Sequence, residues 1–277
     1  RRCSDRSRGP TVWAMMSAAE LRAALVPTWS RIEVVAETGS TNADLLADPV
    51  APDRSVLVAE HQTAGRGRLD RSWTAPPGAS LTFSVLIRPP APVSTWGWLP
   101  LLTGLALREA VVAVTGVQAG LKWPNDLLLG IPQRKVAGIL AQSSGGAVVL
   151  GIGLNVSTAA ADLPVETATS LALGGASDVD RAALLNATLT RLDVRLTEWS
   201  AAGGDAQACG LADAYRAACL TLGQRVSVST TAGQSIAGTA AGLDPTGRLL
   251  VDTGGATTAV GAGGVHHLRP ESSAGTS

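Results

Sequence analysis

Lysine is nearly missing from this 277-residue chain: of its 22 basic side chains 20 are Arg, and the two Lys, Lys122 and Lys135, stand thirteen positions apart. Arg is a planar fork that stays protonated, whereas Lys is a compact charge on a flexible stem, so a site that needs the second cannot accept the first. The two survivors are therefore candidates for chemistry; chance survival is the competing explanation, and it applies to Lys135 more than to Lys122. An excess of either charge is also lacking, with 22 basic residues against 22 acidic. Without a basic surplus there is no counterion-release footprint, and no nucleic acid partner is expected. Cysteine is scarce: Cys3, Cys209 and Cys219 are odd in number and form no C-x-x-C pair. A disulfide framework and a zinc site are both excluded, which fits a reducing, cytoplasmic compartment. No stretch approaches the roughly 20 unbroken apolar residues that span a bilayer, so no membrane partner is expected.

What is present suits one large α/β domain with a small appendage. Residues 1–17 lack the apolar run and cleavage site of a secretory signal and read as a disordered leader. Residues 18–222 carry the pattern of the main domain. A short helix is expected over Ala18–Leu25, then strands at Arg31–Ala36, Ser55–His61 and Ser80–Arg88. Helical spacing covers Leu99–Val114, Asp180–Trp199 and Ala206–Leu222. Lys122-Trp123 reads as a short strand ending at Pro124. Lys135–Gln142 and Ala147–Val156 are joined by Ser-Ser-Gly-Gly, which makes a hairpin the natural reading. From 223 to 269 short strands separated by Gly-containing turns predict a small barrel, and 270–277 reads as a disordered tail.

Four segments carry candidate chemistry. In Glu60-His-Gln-Thr-Ala-Gly65-Arg-Gly-Arg-Leu-Asp-Arg-Ser-Trp73, Gly65 and Gly67 permit close backbone approach, while Arg66, Arg68 and Arg71 offer forks for a phosphate or carboxylate. Trp73 offers a flat stacking surface. A solvated Arg-rich loop is the alternative. In Lys122-Trp-Pro-Asn-Asp126 a Lys at a strand end projects toward a pocket, with a plain surface turn as the alternative. Gly39-Ser-Thr-Asn42 supplies groups that either bind a polar ligand or cap a helix. Gly151-Ile-Gly-Leu-Asn155 is a Gly-interrupted strand that more often means close packing. The third glycine of a dinucleotide fingerprint is missing and there is no phosphate-loop motif. His61, His266 and His267 have no Ser or Cys partner in a hydrolase setting.

Taken in order, Glu37-Thr-Gly-Ser-Thr-Asn42, Glu60 to Arg68, Lys122 to Asp126, Lys135-Val-Ala-Gly-Ile-Leu140 and Gly151 to Val156 resemble the biotin protein ligases. The resemblance runs from about residue 31 to residue 269. It implies an α/β (α+β) catalytic domain with a mixed sheet, like that of class II aminoacyl-tRNA synthetases, followed by an SH3-like barrel. It implies that biotin is activated with ATP and Mg²⁺ to biotinyl-5′-AMP and transferred to one lysine of a biotin carboxyl carrier domain of an acyl-CoA carboxylase. By the same resemblance Ser40, Thr41, Asn42 and Gln62 hold the ureido ring of biotin. Gly65, Arg66, Gly67, Arg68, Lys122 and Gly138 complete that pocket. Arg66, Arg68, Arg71, Trp73, Lys122 and Asn155 face ATP and the adenylate, and Lys122, Arg66 and Arg68 are the catalytic cations. Lys135 and the Mg²⁺ ligands are unassigned. Residues 63–73 are expected to move on ligand binding. The chain ahead of residue 39 is too short for a helix-turn-helix domain of roughly 60 residues, so a ligase without operator binding is expected. A lipoate-type ligase, a non-catalytic binding module and a tRNA-linked relative are the competing readings.

Overall fold

The computed structural model describes residues 16–17, 19–21, 28–69, 71–230, 235–261 and 263–267. Most of the expected leader, most of the first helix and the expected tail lie outside them.

A seven-stranded mixed sheet forms the main domain. Its strands are β1 (Arg31–Thr38), β2 (Ser55–Gln62), β5 (Ser80–Ile87), β6 (Ala119–Lys122), β7 (Asp126–Leu129), β8 (Arg134–Ser144) and β9 (Ala147–Asn155), in the order β1-β2-β5-β9-β8-β7-β6. Only β1 and β2 run parallel; every other neighbour is antiparallel. Strand β9 is buried along its whole length, because the sheet is covered on both faces at its centre. Period-two alternation divides its residues between them. Val148, Leu150, Ile152 and Leu154 join the main core beneath α2 (Leu99–Thr115), α3 (Arg181–Ala201) and α4 (Leu211–Ala218). On the opposite face Val149 packs with Leu45, Leu57 and Leu86 under the short helix α1 (Thr41–Ala47). That helix covers only part of its face, and Gly151, Gly153 and Asn155 continue the row where the helix ends.

Local chemistry sets the element ends. Ser40 is the N-cap of α1, in extended conformation, and its Oγ accepts from the Ala43 N–H. Asp180 caps α3 through the N–H groups of Ala182 and Ala183. Gly116 stops α2 in the left-handed region at φ 73°, where its N–H reaches the Val112 carbonyl. The span Val93–Thr115 is apolar and long enough to cross a bilayer by composition, but most of it is buried as the central core helix.

The second sheet has the order β13-β12-β11-β10-β14, from β10 (Arg225–Thr230), β11 (Ser235–Leu243), β12 (Leu249–Asp252), β13 (Thr257–Val260) and β14 (Gly263–His267). The expected barrel is not closed: its edges β13 and β14 do not pair with each other among the described residues. Instead Val226, Val228, Leu249 and Val251 merge with the main core, so docking covers the apolar face that closure would have hidden. Two indoles seal the junction. Trp98 Nε1 donates to the Pro245 carbonyl at 2.9 Å, and Trp123 Nε1 to the Gly247 carbonyl at 3.1 Å.

Three local expectations are corrected. Asp126–Leu129 forms a strand the sequence pattern did not suggest, because apolar Leu127–Leu129 gives no alternation to read. The last helix of the main domain is confined to Leu211–Ala218, after which Leu220 N–H bonds to the Leu121 carbonyl along the sheet edge. The Arg-rich loop is not wholly irregular: β3 (Gly65–Arg66) and β4 (Ser72–Trp73) pair as a small ribbon.

Candidate active site

The start of α1 is pinned to the sheet by a buried polar network. Thr41 N–H and Oγ1 reach Gln62 Oε1 at 2.8 and 3.0 Å, Thr41 Oγ1 meets Ser84 Oγ at 2.6 Å, and Ser84 donates to Asn42 Oδ1 at 2.6 Å. Asn42 Nδ2 donates to the Leu140 carbonyl and to Gln142 Oε1. Each hydroxyl has one hydrogen to give. Ser84 spends its only hydrogen on Asn42, so the Thr41 hydroxyl must be the donor toward Gln62 or Ser84. The Gln62 carbonyl oxygen is thereby turned toward α1, which points its Nε2 amide toward Gly65 and the site. A Cβ at Gly65 would lie 2.7 Å from that nitrogen, and one at Gly151 would overlap the Asn42 side chain. Close packing is thus what Gly151 provides, and Ser40, Thr41 and Asn42 cap and anchor α1.

Beyond α1 the register lines up one row across the sheet. Thr82 pairs with Gly153, Gly153 with Gly138, Gly138 with Asp126, and Asp126 with Lys122. Cross-strand partners share a face, so a threonine, two glycines, a carboxylate and an ammonium stem stand in line. On the two glycines lies the indole of Trp73, delivered by the β3–β4 ribbon; a Cβ at Gly153 would overlap it, and one at Gly138 would sit 3.8 Å from it. Its Nε1 is buried and has no hydrogen-bond partner. With the indole seated, the space left beside Gln62, Trp73, Ser80 and Thr82 is about 10 Å³, room for one water. A larger cavity of about 610 Å³ lies between Leu21, Val156, Ala176 and Arg181, but none of the site cations lines it.

Four of those cations, Lys122, Lys135, Arg68 and Arg71, come within electrostatic range of Asp126 or of one another at the other end of the row. Lys135 Nζ lies 2.7 Å from Asp126 Oδ1, and its stem folds back over Gly138. The ammonium is not aimed along a lone pair of that oxygen, which keeps no directional hydrogen bond, so the contact is ionic. Lys135 thus makes an ionic contact with Asp126, and Lys122 stands beside the same carboxylate as its cross-strand partner. Burial pushes the Lys122 ammonium below its usual range, the Asp126 charge opposes that, and the charges of Lys135 and Arg71 add to it. Arg68 Nη1 donates to Asn125 Oδ1 at 3.1 Å, while Asn125 Nδ2 and its carbonyl bind the backbone of Ile139. The turn after Pro124 thus ties the Arg-rich loop to β8. Arg66 and Arg71 are exposed. Gly67 N–H bonds to the Arg71 carbonyl at 2.6 Å, which shapes the loop between them. Asn155, at the end of β9, donates to the Thr169 carbonyl at 3.0 Å, two sheet positions from Gly153.

Two residues that reach this region had no role assigned in the sequence analysis. Ser84 is an ordinary strand residue until the register sets it beside Asn42. Gly153 was expected only to serve close packing, and Lys135 stood out only by rarity. His267 arrives from β14: its Nε2 meets Thr221 Oγ1 at 3.1 Å, and that oxygen accepts from the Trp123 N–H at 3.0 Å. Burial, and then the Lys122 charge, hold its imidazole below the ordinary histidine range. A neutral Nε2 can accept the Thr221 hydrogen, which joins the second sheet to the strand that bears Lys122.

Comparison with known proteins gives this arrangement a context. Residues 32–158 match the Biotin/lipoate A/B protein ligase family, and residues 221–267 match the Biotin protein ligase C terminal domain. A Biotin--[acetyl-CoA-carboxylase] ligase of Mycobacterium tuberculosis is 45% identical over 248 residues, 87% of this chain and 90% of the relative. A Bifunctional ligase/repressor BirA of Bacillus spizizenii is 31% identical over 229 residues, 80% of this chain and 68% of the relative. A biotin protein ligase of Aquifex aeolicus, solved with biotin and ATP, superposes with a TM-score of 0.71 at 29% identity, covering 87% of this chain and all of that one.

Proposed function

The chain belongs to the biotin protein ligase family, and on that premise we propose how its own residues divide the work. It activates biotin with ATP to biotinyl-5′-AMP and transfers the biotinyl group to protein; the acceptor in this reading is one lysine of a biotin carboxyl carrier domain of an acyl-CoA carboxylase, in the cytoplasm. Residues 18–222 form the catalytic domain and 223–269 the C-terminal domain. The observation that carries the assignment of roles is the row Thr82, Gly153, Gly138, Asp126, Lys122. It sets a flat, side-chain-free floor between a polar end and a cationic end.

Biotin has the matching polarity. Its ureido ring needs a few fixed donors and acceptors, which Ser40, Thr41, Asn42 and Gln62 supply around the start of α1. Its aliphatic tail lies along Gly153 and Gly138, where any side chain would obstruct it. Its carboxylate then arrives beside Lys122, Lys135 and Arg68. In the first step a carboxylate oxygen attacks the α-phosphorus of ATP, an O–P bond forms, and the bond to pyrophosphate breaks. Two anions must approach each other, and charge builds on the phosphoryl oxygens. Clustered cations held in place beforehand lower that barrier without reorganising at the moment of reaction. Lys122 and Lys135 supply compact charge from the sheet, Arg66, Arg68 and Arg71 supply forks from the loop, and Trp73 and Asn155 face the adenine.

In the second step the acceptor lysine attacks the acyl carbon and AMP leaves, so this chain needs no nucleophile of its own. Among the described residues no three His, Cys, Asp or Glu side chains come together to hold a metal ion. The site's carboxylate is already committed to Lys135. The residues do not fit a protein-held Mg²⁺, and no step is routed through one.

Incubation with biotin, radiolabelled ATP and a carrier domain tests the reading: AMP release that depends on biotin, with labelled carrier, is the expected result. Lys122→Arg separates the role of Lys122 from generic charge. Adenylate formation at least tenfold slower is expected, and a normal rate would remove Lys122 from the site.

A further inference from the structure

The enzyme of the preceding section makes a mixed anhydride whose purpose is to react with a lysine, and the only two lysines of the chain flank the place where it forms. An ammonium cannot attack an acyl carbon; the neutral amine can. Something must keep both side chains charged without adding another nucleophile.

We propose that Asp126 is a positioning residue that holds Lys122 and Lys135 as non-nucleophilic ammonium groups, so that the enzyme does not biotinylate itself. The inference rests on the reading of the site as a biotin-adenylating centre. Asp126 is the cross-strand partner of Lys122 and lies 2.7 Å from the Lys135 nitrogen. Its surroundings show why a counter-charge is needed. Arg68 and Arg71 from the loop and His267 from β14 also face this cluster, and the buried Tyr215 phenol of α4 lies within electrostatic range of Asp126. Arg68 and Arg71 are positive, and the histidine and the phenol are neutral. Burial, and then the neighbouring positive charges, press Lys122 toward the amine form and hold its pKa below the usual lysine range. Among these groups the carboxylate alone acts in the other direction. The ionic contact also draws Lys135 Nζ back toward β7, which leaves the acyl carbon open to the incoming acceptor lysine.

The side reaction that Asp126 prevents is simple. A neutral Lys135 amine attacks the acyl carbon of biotinyl-5′-AMP, the C–N bond forms, the C–O bond to phosphate breaks, AMP leaves with the electron pair, and the amine proton passes to water. The product is a biotinyl-lysine in the enzyme's own site.

The test uses the whole chain, synthetic biotinyl-5′-AMP and no carrier, followed by digestion and mass-spectrometric counting of label at Lys122, Lys135 and the N-terminal amine. The N-terminal amine reports adenylate free in solution, so the ratio of lysine to N-terminal label is independent of how much escapes. In the wild type near neutral pH both lysines stay unlabelled. In Asp126→Asn the ratio rises by at least tenfold, because losing the counter-charge favours the free amine over the ammonium. Asp126→Glu restores protection, which a purely structural role of the shape would not predict. Raising the pH gives a second route that needs no variant: wild-type label at Lys135 climbs relative to the N-terminal amine as the lysine itself deprotonates. Lysines unlabelled in Asp126→Asn that still passes bound biotin to a carrier would overturn the proposal. So would unlabelled lysines in the wild type at high pH, which decides the matter even when Asp126→Asn fails to fold. Failure to form biotinyl-5′-AMP from biotin and ATP is a different outcome, and it sinks the underlying assignment instead.

Discussion

Removing the Trp73 indole should improve binding of biotin alone while damaging use of ATP. With the indole on Gly138 and Gly153 the adjacent space is about 10 Å³, whereas small-molecule sites run to roughly 300 Å³ or more, so biotin cannot enter until the ring lifts. Burying a large apolar side chain is worth about 1.5–3 kcal/mol, and its Nε1 gives back about 1–3 kcal/mol because it is buried without an acceptor. The seat is therefore held by at most about 2 kcal/mol. A binding-competent form disfavoured by that much weakens apparent affinity by up to about 30-fold. Trp73→Ala recovers this factor for biotin. It also removes the proposed stacking surface for adenine, where one aromatic contact is worth about 1–3 kcal/mol, so the KM for ATP rises by about 5- to 150-fold. Titration calorimetry with biotin alone and biotin-dependent pyrophosphate exchange measure the two effects separately. Weaker biotin binding together with an unchanged KM for ATP would refute both halves of the reasoning, placing the indole as a wall of the ring pocket and nothing more.

Other perturbations have equally definite outcomes. Gly151→Ala drives a methyl into the Asn42 side chain beneath α1, and a thermal or denaturant melt should show a loss of about 1–3 kcal/mol with weakened biotin binding. Trp123→Phe leaves the Gly247 carbonyl at the domain junction without its donor; a destabilisation of about 1–3 kcal/mol is expected, and no change would mean that water replaces the indole. The Lys122 ammonium is held below the usual lysine range mainly by burial, so adenylation should fall on the alkaline side at a pH below that range. Asp126 opposes the shift, so Asp126→Asn should move the limb to still lower pH, and a limb that moves upward would contradict the geometry.

Motifs bound to the backbone were legible in the chain because their consequences are local. Ser40 before a short helical run could be read as an N-cap, and the structure makes it one. The Gly65 to Trp73 segment stood out as a candidate anion clamp, with a solvated Arg-rich loop as the alternative, and only the family resemblance assigned it a role. Alternation in Ser80–Arg88 and a hairpin turn ahead of the apolar run Ala147–Val156 gave two central strands. Neither could say which face would be uncovered, because that depends on α1 being only seven residues long and ending over Val149. The strand Asp126–Leu129 was missed for a related reason: a run buried on both faces carries no period.

The sequence by itself determined the family, the order of the motifs and the scarcity of lysine that made two residues worth following. Pattern and composition record such properties directly, since each belongs to one stretch of chain. Only the tertiary structure decided that Lys122 and Lys135, thirteen positions apart, both stand beside Asp126, Lys135 in ionic contact and Lys122 as its cross-strand partner. It alone decided that Trp73 rests on glycines from two other strands, and that His267 closes a hydrogen-bonded path from the second sheet to the Lys122 strand. These contacts depend on strand register and on how two sheets dock. Both follow from the sum of many weak packing terms across the whole core, which no single segment encodes.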